Sequence, residues 1–106
     1  MHGQFRAGNE LDKDQNPAGG FAEGVGFRID WQNGPLSVDG KRKEPNGAFV
    51  ETILDVVANR IRHYQATKFN CRENALALTK IEEAIHWLDH RTRDRELRGV
   101  EGTHTV

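Results

Sequence analysis

The chain reads as an α+β protein in which a small N-terminal antiparallel β-sheet precedes a long antiparallel α-helical hairpin. Three observations carry that reading. Val25, Phe27, Ile29 and Trp31 fall on one face and Arg28, Asp30 and Gln32 on the other, the period of two that a half-buried strand requires. From Phe49 to Tyr64 the apolar side chains recur at spacings of three and four, the period of a helix packed on one side. A second helical stretch begins a few residues later, and two long helices joined by a short link fold back antiparallel.

Taken in order, residues 1–20 hold only Phe5 and Leu11 as large hydrophobes among Gly, Asn, Asp and Gln, followed by Pro17, Gly19 and Gly20. That composition predicts a flexible arm, leaving residues 21–106 as a single sheet and hairpin domain. The strand pattern starts at Gly24. Asn33-Gly34-Pro35 marks a turn, Leu36 and Val38 alternate again, and Asp39-Gly40 marks a second turn before Lys41-Arg42-Lys43. Two or three short strands are marginal alone in water, so this sheet must pack on helices or on another chain. Glu44-Pro45-Asn46-Gly47 stops the extended segment. A helix is expected from about Ala48, with Phe49, Val50, Ile53, Leu54, Val57, Ala58, Ile61 and Tyr64 as its core stripe. Lys68 to Asn70 form the link. Asn70 followed by Glu73 reads as a capping box, so the second helix should begin near Cys71, run to about Arg98 and stop at Gly99.

Composition bounds the function. With 106 residues, 36% apolar content and a mean hydropathy of -0.75, the chain can build only a modest core. Fifteen Lys and Arg stand against sixteen Asp and Glu, so there is no overall field of the kind that draws polymeric nucleic acid, and any anion site must be local. No apolar run approaches the ~18 residues needed to span a bilayer, so no membrane role is expected, and the opening lacks the basic flank and apolar core of a signal peptide. The single cysteine, Cys71, fits a reducing compartment such as the cytoplasm.

The second helix carries the informative pattern. Ala77, Ile81, Ala84 and Leu88 keep one face, and the next positions on that face are Arg91, Arg95 and Arg98. Stacked guanidiniums repel unless an anion lies across them, and the planar fork of Arg suits phosphate. The plain alternative is that these arginines are solvated or paired with Asp94 and Glu96. The second helix is longer than the first, so its last turns overhang the hairpin, and oligomerisation through those turns would share a cleft between chains. An aromatic ring at Tyr64, an amide at Asn74 and the forked cations of Arg91 and Arg95 are what a base, its polar edge and a pyrophosphate need.

Other candidates are weaker. His86 and His90 stand one turn apart but lack a third metal ligand. Cys71 has no base beside it in sequence, and a packed, inert cysteine is expected. Gly24-x-Gly26 lacks the third glycine of a dinucleotide fingerprint. Trp31 and Trp87 are expected in the core or as stacking surfaces. No carboxylate pair, metal cluster or activated nucleophile speaks for a hydrolase, and no cofactor is implied. Acids interleaved among the arginines weigh against a DNA-binding regulator.

Several blocks together carry a resemblance. They are Phe27-Arg28-Ile29-Asp30-Trp31-Gln32 with Gly34-Pro35, Pro45-Asn46-Gly47-Ala48-Phe49, Phe69-Asn70-Cys71-Arg72-Glu73-Asn74-Ala75, Trp87-Leu88-x-x-Arg91-Thr92-x-x-Arg95, and Arg98-Gly99-Val100-Glu101-Gly102-Thr103-His104. In this order, over roughly three quarters of the chain, they resemble the phage anti-defence proteins of the first Thoeris type, which share a helical hairpin domain with a type of anti-CBASS protein. The resemblance implies a dimeric or hexameric homo-oligomer that sequesters a glycocyclic ADP-ribose immune signal in the host cell cytoplasm without degrading it. Some relatives also bind cyclic di- or trinucleotides, which is the alternative ligand. The family site, an aromatic, an Asn and two Arg one turn apart, falls on Tyr64, Asn74, Arg91 and Arg95, with Tyr replacing Phe. Arg98 is a further ligand candidate, or it neutralises the helix C-terminus or bridges to Glu101 of a neighbouring chain.

Overall fold

The computed structural model describes residues 2–106. The chain forms two compact units, one comprising the residues up to Phe49 together with Val100–Val106, the other Val50–Gly99.

In the first unit, β1 (Phe5–Leu11), β2 (Pro17–Gly24) and β3 (Phe27–Asp30) form an antiparallel sheet in the order β1-β2-β3. Residues 1–20, expected as an arm, therefore supply one whole strand and part of a second. The reason lies across the strands. Gly8 pairs with Phe21, and the Phe21 ring lies over it, so close that a Cβ on Gly8 would sit 3.0 Å from the ring. An aromatic side chain on the neighbour thus covers the glycine's missing side chain. Gly20 is required more strictly: its φ is +131°, and an added Cβ would lie 2.1 Å from the carbonyl oxygen of Gly8.

Pairing puts Arg6, Glu23 and Arg28 in one row across the sheet, with Gly8, Phe21 and Asp30 two rows away on the same face. Arg6 Nε donates to Glu23 at 2.6 Å and Arg28 Nη1 donates to it at 2.5 Å. These bonds, from Arg6 first, hold the Glu23 carboxyl below its usual range, while Asp30 and then Glu23 push Arg28 up. Both guanidiniums also stack on Phe21, 5.6 and 5.0 Å from its centroid. Val25, expected on the strand, sits in the β2–β3 turn and is fully exposed.

The Pro45-Asn46-Gly47 stop has a specific task. Asn46 accepts from the Asn33 backbone N–H at 2.8 Å, returns a bond to the Asn33 carbonyl at 2.8 Å, and donates its own N–H to the Gln32 side chain at 2.9 Å. Trp31 and Ala48 bridge just beyond, and Trp31 N–H donates to Gly20 O at 3.0 Å. The two-residue strands β4 (Ser37–Val38) and β5 (Lys41–Arg42) pair with each other. The C-terminal tail closes on them through a bond from Ser37 N to Gly102 O at 2.9 Å and a forked Arg42–Glu101 pair at 2.6 and 3.0 Å.

The second unit is the hairpin of α1 (Val50–Gln65) and α2 (Arg72–Leu97). At about 1.5 Å per residue, α1 is about 24 Å long and α2 about 39 Å. Ala58 is fully buried, and Arg62 Nη2 reaches Glu82 of α2 at 3.5 Å. The least exposed positions of α2 are Asn74, Leu78, Ile81, Ile85, Leu88, Thr92 and Arg95, an alternation of four and three that continues over the whole helix. The expected stripe through Ala77 and Ala84 is displaced: both are exposed, and Leu78 and Ile85 take the inner face.

The α2 cap differs from the expected box by one residue. Cys71 is the N-cap, its Sγ accepting from Asn74 N at 3.4 Å, while Asn70 turns back to the Thr67 carbonyl at 2.9 Å. Gln65 fixes the link by donating to Cys71 O at 2.9 Å and accepting from Cys71 N at 3.0 Å. Arg98 is the C-cap and Gly99, at φ +74°, ends the helix as expected. No helix among the described residues is long and apolar enough to cross a membrane.

Candidate functional site

The candidate residues fall into two groups on the hairpin. Tyr64 stands in the last turn of α1 and Asn74 in the first turn of α2, so both flank the link. Arg91, Arg95 and Arg98 stand at the other end of α2. Seventeen residues separate Asn74 from Arg91, about 25 Å along a helix axis. One hairpin therefore does not place its own ring and amide against its own arginines, and no mononucleotide-sized ligand could touch both groups within a single chain.

At the link end, Tyr64 is 40% exposed. One face of its ring carries the Arg60 guanidinium, 5.0 Å from the centroid, and Arg60 Nε donates to its hydroxyl at 3.2 Å. Arg60 was not singled out in the sequence, although the i, i+4 spacing of Arg and Tyr on a helix was legible there. Asn74 is half-buried on the inner face.

At the other end the arginines differ in environment. Arg95 closes the inner stripe and is the buried charged residue among those described, at 9% exposure. Arg91, one turn before it, is exposed. Arg98 Nε donates to Asp94 Oδ2 at 3.2 Å, so for this residue the pairing read as the plain alternative is present. The three are thus unlike one another: a buried fork, an exposed one, and one engaged with an acid on its own helix.

The weaker candidates are also placed. Cys71 is exposed and free rather than packed, because its sulfur serves the helix cap. Trp87 is 67% exposed and lies outside the core, because it points opposite the buried stripe. His86 and His90 both approach the Trp87 ring edge-on, at 6.0 and 5.9 Å between centroids. No group of three or more His, Cys, Asp or Glu able to hold a metal is found among the described residues.

Two comparisons bear on this arrangement. The family described as Acb2/Tad1, hairpin domain, matches residues 23–93. The chain belongs to the Acb2/Tad1 hairpin-domain family. The matched span takes in the sheet from late β2, all of α1 and α2 as far as Arg93, so it includes Tyr64, Asn74 and Arg91 and ends before Arg95 and Arg98. Within the Acb2/Tad1 family, the chain is similar to a protein named Thoeris anti-defense 1 from Bacillus phage SBSphiJ7. The identity is 47% over 76 residues, which is 72% of this chain and 51% of that protein. The chain thus spans about half the length of the curated relative it matches.

Proposed function

We propose that the chain is a phage anti-defence protein that binds a glycocyclic ADP-ribose immune signal inside the infected host cell and holds it without degrading it. The observation that carries this reading is the 47% identity to Thoeris anti-defense 1. The chemistry of the candidate residues supports it. Arg91 and Arg95 offer two guanidinium forks one turn apart to a pyrophosphate, Tyr64 offers a ring to a base, and Asn74 offers an amide to its polar edge. Arg98, one turn further, adds positive charge at the same helix end.

Because the two groups are about 25 Å apart on one hairpin, the site is composite: the ring and amide come from one chain and the arginines from another. A homo-oligomer is therefore part of the proposal. Each charge-assisted hydrogen bond contributes about 1.5–3 kcal/mol, and nanomolar affinity corresponds to about -12 kcal/mol. Four or five such bonds with ring stacking reach that range, where sequestration can compete with a cellular effector.

Catalysis is not part of the reading. The test is to incubate the protein with a glycocyclic ADP-ribose isomer, denature the complex by heat and analyse the released nucleotide. Intact ligand supports sequestration; a ring-opened or hydrolysed product refutes it. If a cyclic di- or trinucleotide is retained and the ADP-ribose ring is not, the ligand class is the cyclic oligonucleotide instead.

A further inference from the structure

β1 (Phe5–Leu11) is an outer strand of its sheet, whose order is β1-β2-β3, and every residue in it except Gly8 is exposed. It precedes the span matched by the family model, and no residue of the candidate ligand site lies on it. Its backbone alternates between two sides. Gln4 O and Gly8 O both lie against β2, where a Cβ on Gly24 or Gly20 would strike them. The even-numbered residues therefore direct their N–H and C=O groups at β2, and those of Phe5, Ala7, Asn9 and Leu11 point outward. The bulge after Asn9 leaves that period intact: Asn9 to Leu11 spans two steps while the partners Gly20 to Pro17 span three, so the extra residue is on β2. A regular open edge of this kind is a template for a further strand.

The side chains of β1 say which strand fits it. The sequence Phe-Arg-Ala-Gly-Asn-Glu-Leu is complementary to itself read backwards. In an antiparallel pair, outward groups exchange hydrogen bonds only with outward groups, so odd-numbered residues face odd-numbered ones and the facing numbers have an even sum. When that sum is 16, Phe5 faces Leu11 of the second copy, Arg6 faces Glu10, Ala7 faces Asn9, and Gly8 faces Gly8. Apolar meets apolar and cation meets anion, each twice per contact. Phe5 and Leu11, at 66% and 59% exposure, then cover each other. Arg6 commits Nε and Nη2 to Glu23 and keeps Nη1 for a second acid. A shift to a sum of 14 or 18 sets Arg6 or Glu10 against Gly8, and Phe5 or Leu11 against Asn9 or Ala7. A parallel strand in register would set Arg6 beside Arg6 and Glu10 beside Glu10. We infer that β1 pairs antiparallel with β1 of a second copy of this chain across a two-fold axis at Gly8, joining two three-stranded sheets into one. The contact lies in the sheet unit and depends on neither the hairpin nor the proposed ligand.

The test uses the full chain without ligand. Ala7→Cys and Asn9→Cys are each made in a Cys71→Ser background, so that the new thiol is the chain's only one. In the inferred register residues 7 and 9 of opposite copies have Cα atoms about 5.5 Å apart, within disulfide range. Either variant alone offers thiols displaced by two residues, about 7–8 Å apart and outside that range. Under mild oxidation the mixture should therefore form a linked dimer roughly tenfold faster than either variant alone. Ala7→Pro removes an outward N–H and leaves the β1–β2 bonds in place, and Glu10→Lys sets a second cation against Arg6 twice per contact. In sedimentation equilibrium each should weaken association through this contact by roughly tenfold. Circular dichroism checks that each variant is folded. A monomeric wild type, linkage no faster in the mixture than in a single variant, or association that both folded variants retain would each overturn the inference.

Discussion

Gly20→Ala is the sharpest test of the N-terminal sheet. At φ +131° the position lies where an L-residue is strained by about 1–3 kcal/mol. The added Cβ would sit 2.1 Å from Gly8 O, against ordinary carbon–oxygen contacts of about 3.3 Å. The β1 and β2 backbones must therefore separate locally by roughly 1 Å, which breaks one or two hydrogen bonds of about 0.5–1.5 kcal/mol each. Together these give roughly 1.5–6 kcal/mol, a large fraction of the stability of any small unit. Gly26→Ala is the control: its φ is +85° with open space around it, so only the left-handed penalty of about 1–2 kcal/mol applies. Trp31 donates directly to Gly20 O, so urea unfolding followed by its fluorescence, in a Trp87→Phe background, reports on this unit. Taking the middle of each range, Gly20→Ala should lose about 2 kcal/mol more than Gly26→Ala. Equal midpoints for the two would refute the argument that the Gly8–Gly20 approach dictates glycine.

Three further expectations follow from the same geometry. Cys71→Ser replaces a weak sulfur acceptor at 3.4 Å by a strong N-cap, so thermal melting of the hairpin should rise by an amount corresponding to about 0.5–1 kcal/mol; a fall would contradict the cap assignment. Ala58→Leu forces side-chain volume into the one fully buried hydrophobic position among those described and should cost about 1–3 kcal/mol in urea unfolding, whereas Val56→Leu on the exposed face should be near neutral. Glu23, bonded to Arg6 and Arg28, has a folded pKa below its ordinary value. Its contribution is therefore complete above about pH 4.3 and is lost as pH falls through the lowered value. Stability against pH should drop more steeply there in the wild type than in Glu23→Gln, and parallel curves would contradict the linkage.

The hairpin was largely legible in the sequence because its signals are local: a stripe at helical spacing, a short link and Gly99. Its inner face was harder to place. Ala77 and Ala84 fit the period as well as Leu78 and Ile85 do, and only packing against α1 decides which set turns inward. The first strand was not legible, since Gly8, Gly19 and Gly20 resemble a linker until Phe21 is seen to cover Gly8 across the sheet. Cys71 took the cap from Asn70 because the Gln65 side chain binds both backbone groups of Cys71 and fixes where the helix begins. The candidate site was legible as residue types, but its two halves lie at opposite ends of the hairpin, a separation that sequence spacing hides until the helix direction is fixed. Arg95 on the buried stripe and Arg91 on the surface likewise differ by a rotation that the four-residue interval conceals.

The central claim is most directly tested by calorimetric titration of the full chain with glycocyclic ADP-ribose isomers and with cyclic di- and trinucleotides. The titrations are repeated for Arg91→Ala, Arg95→Ala and Arg95→Lys, the last keeping the charge while removing the fork. The account predicts tight binding of an ADP-ribose ring, weakened at least tenfold in every variant, consistent with one lost charged hydrogen bond of about 1.5–3 kcal/mol. No binding of that ring by the wild type, or binding that all three folded variants retain, would contradict it.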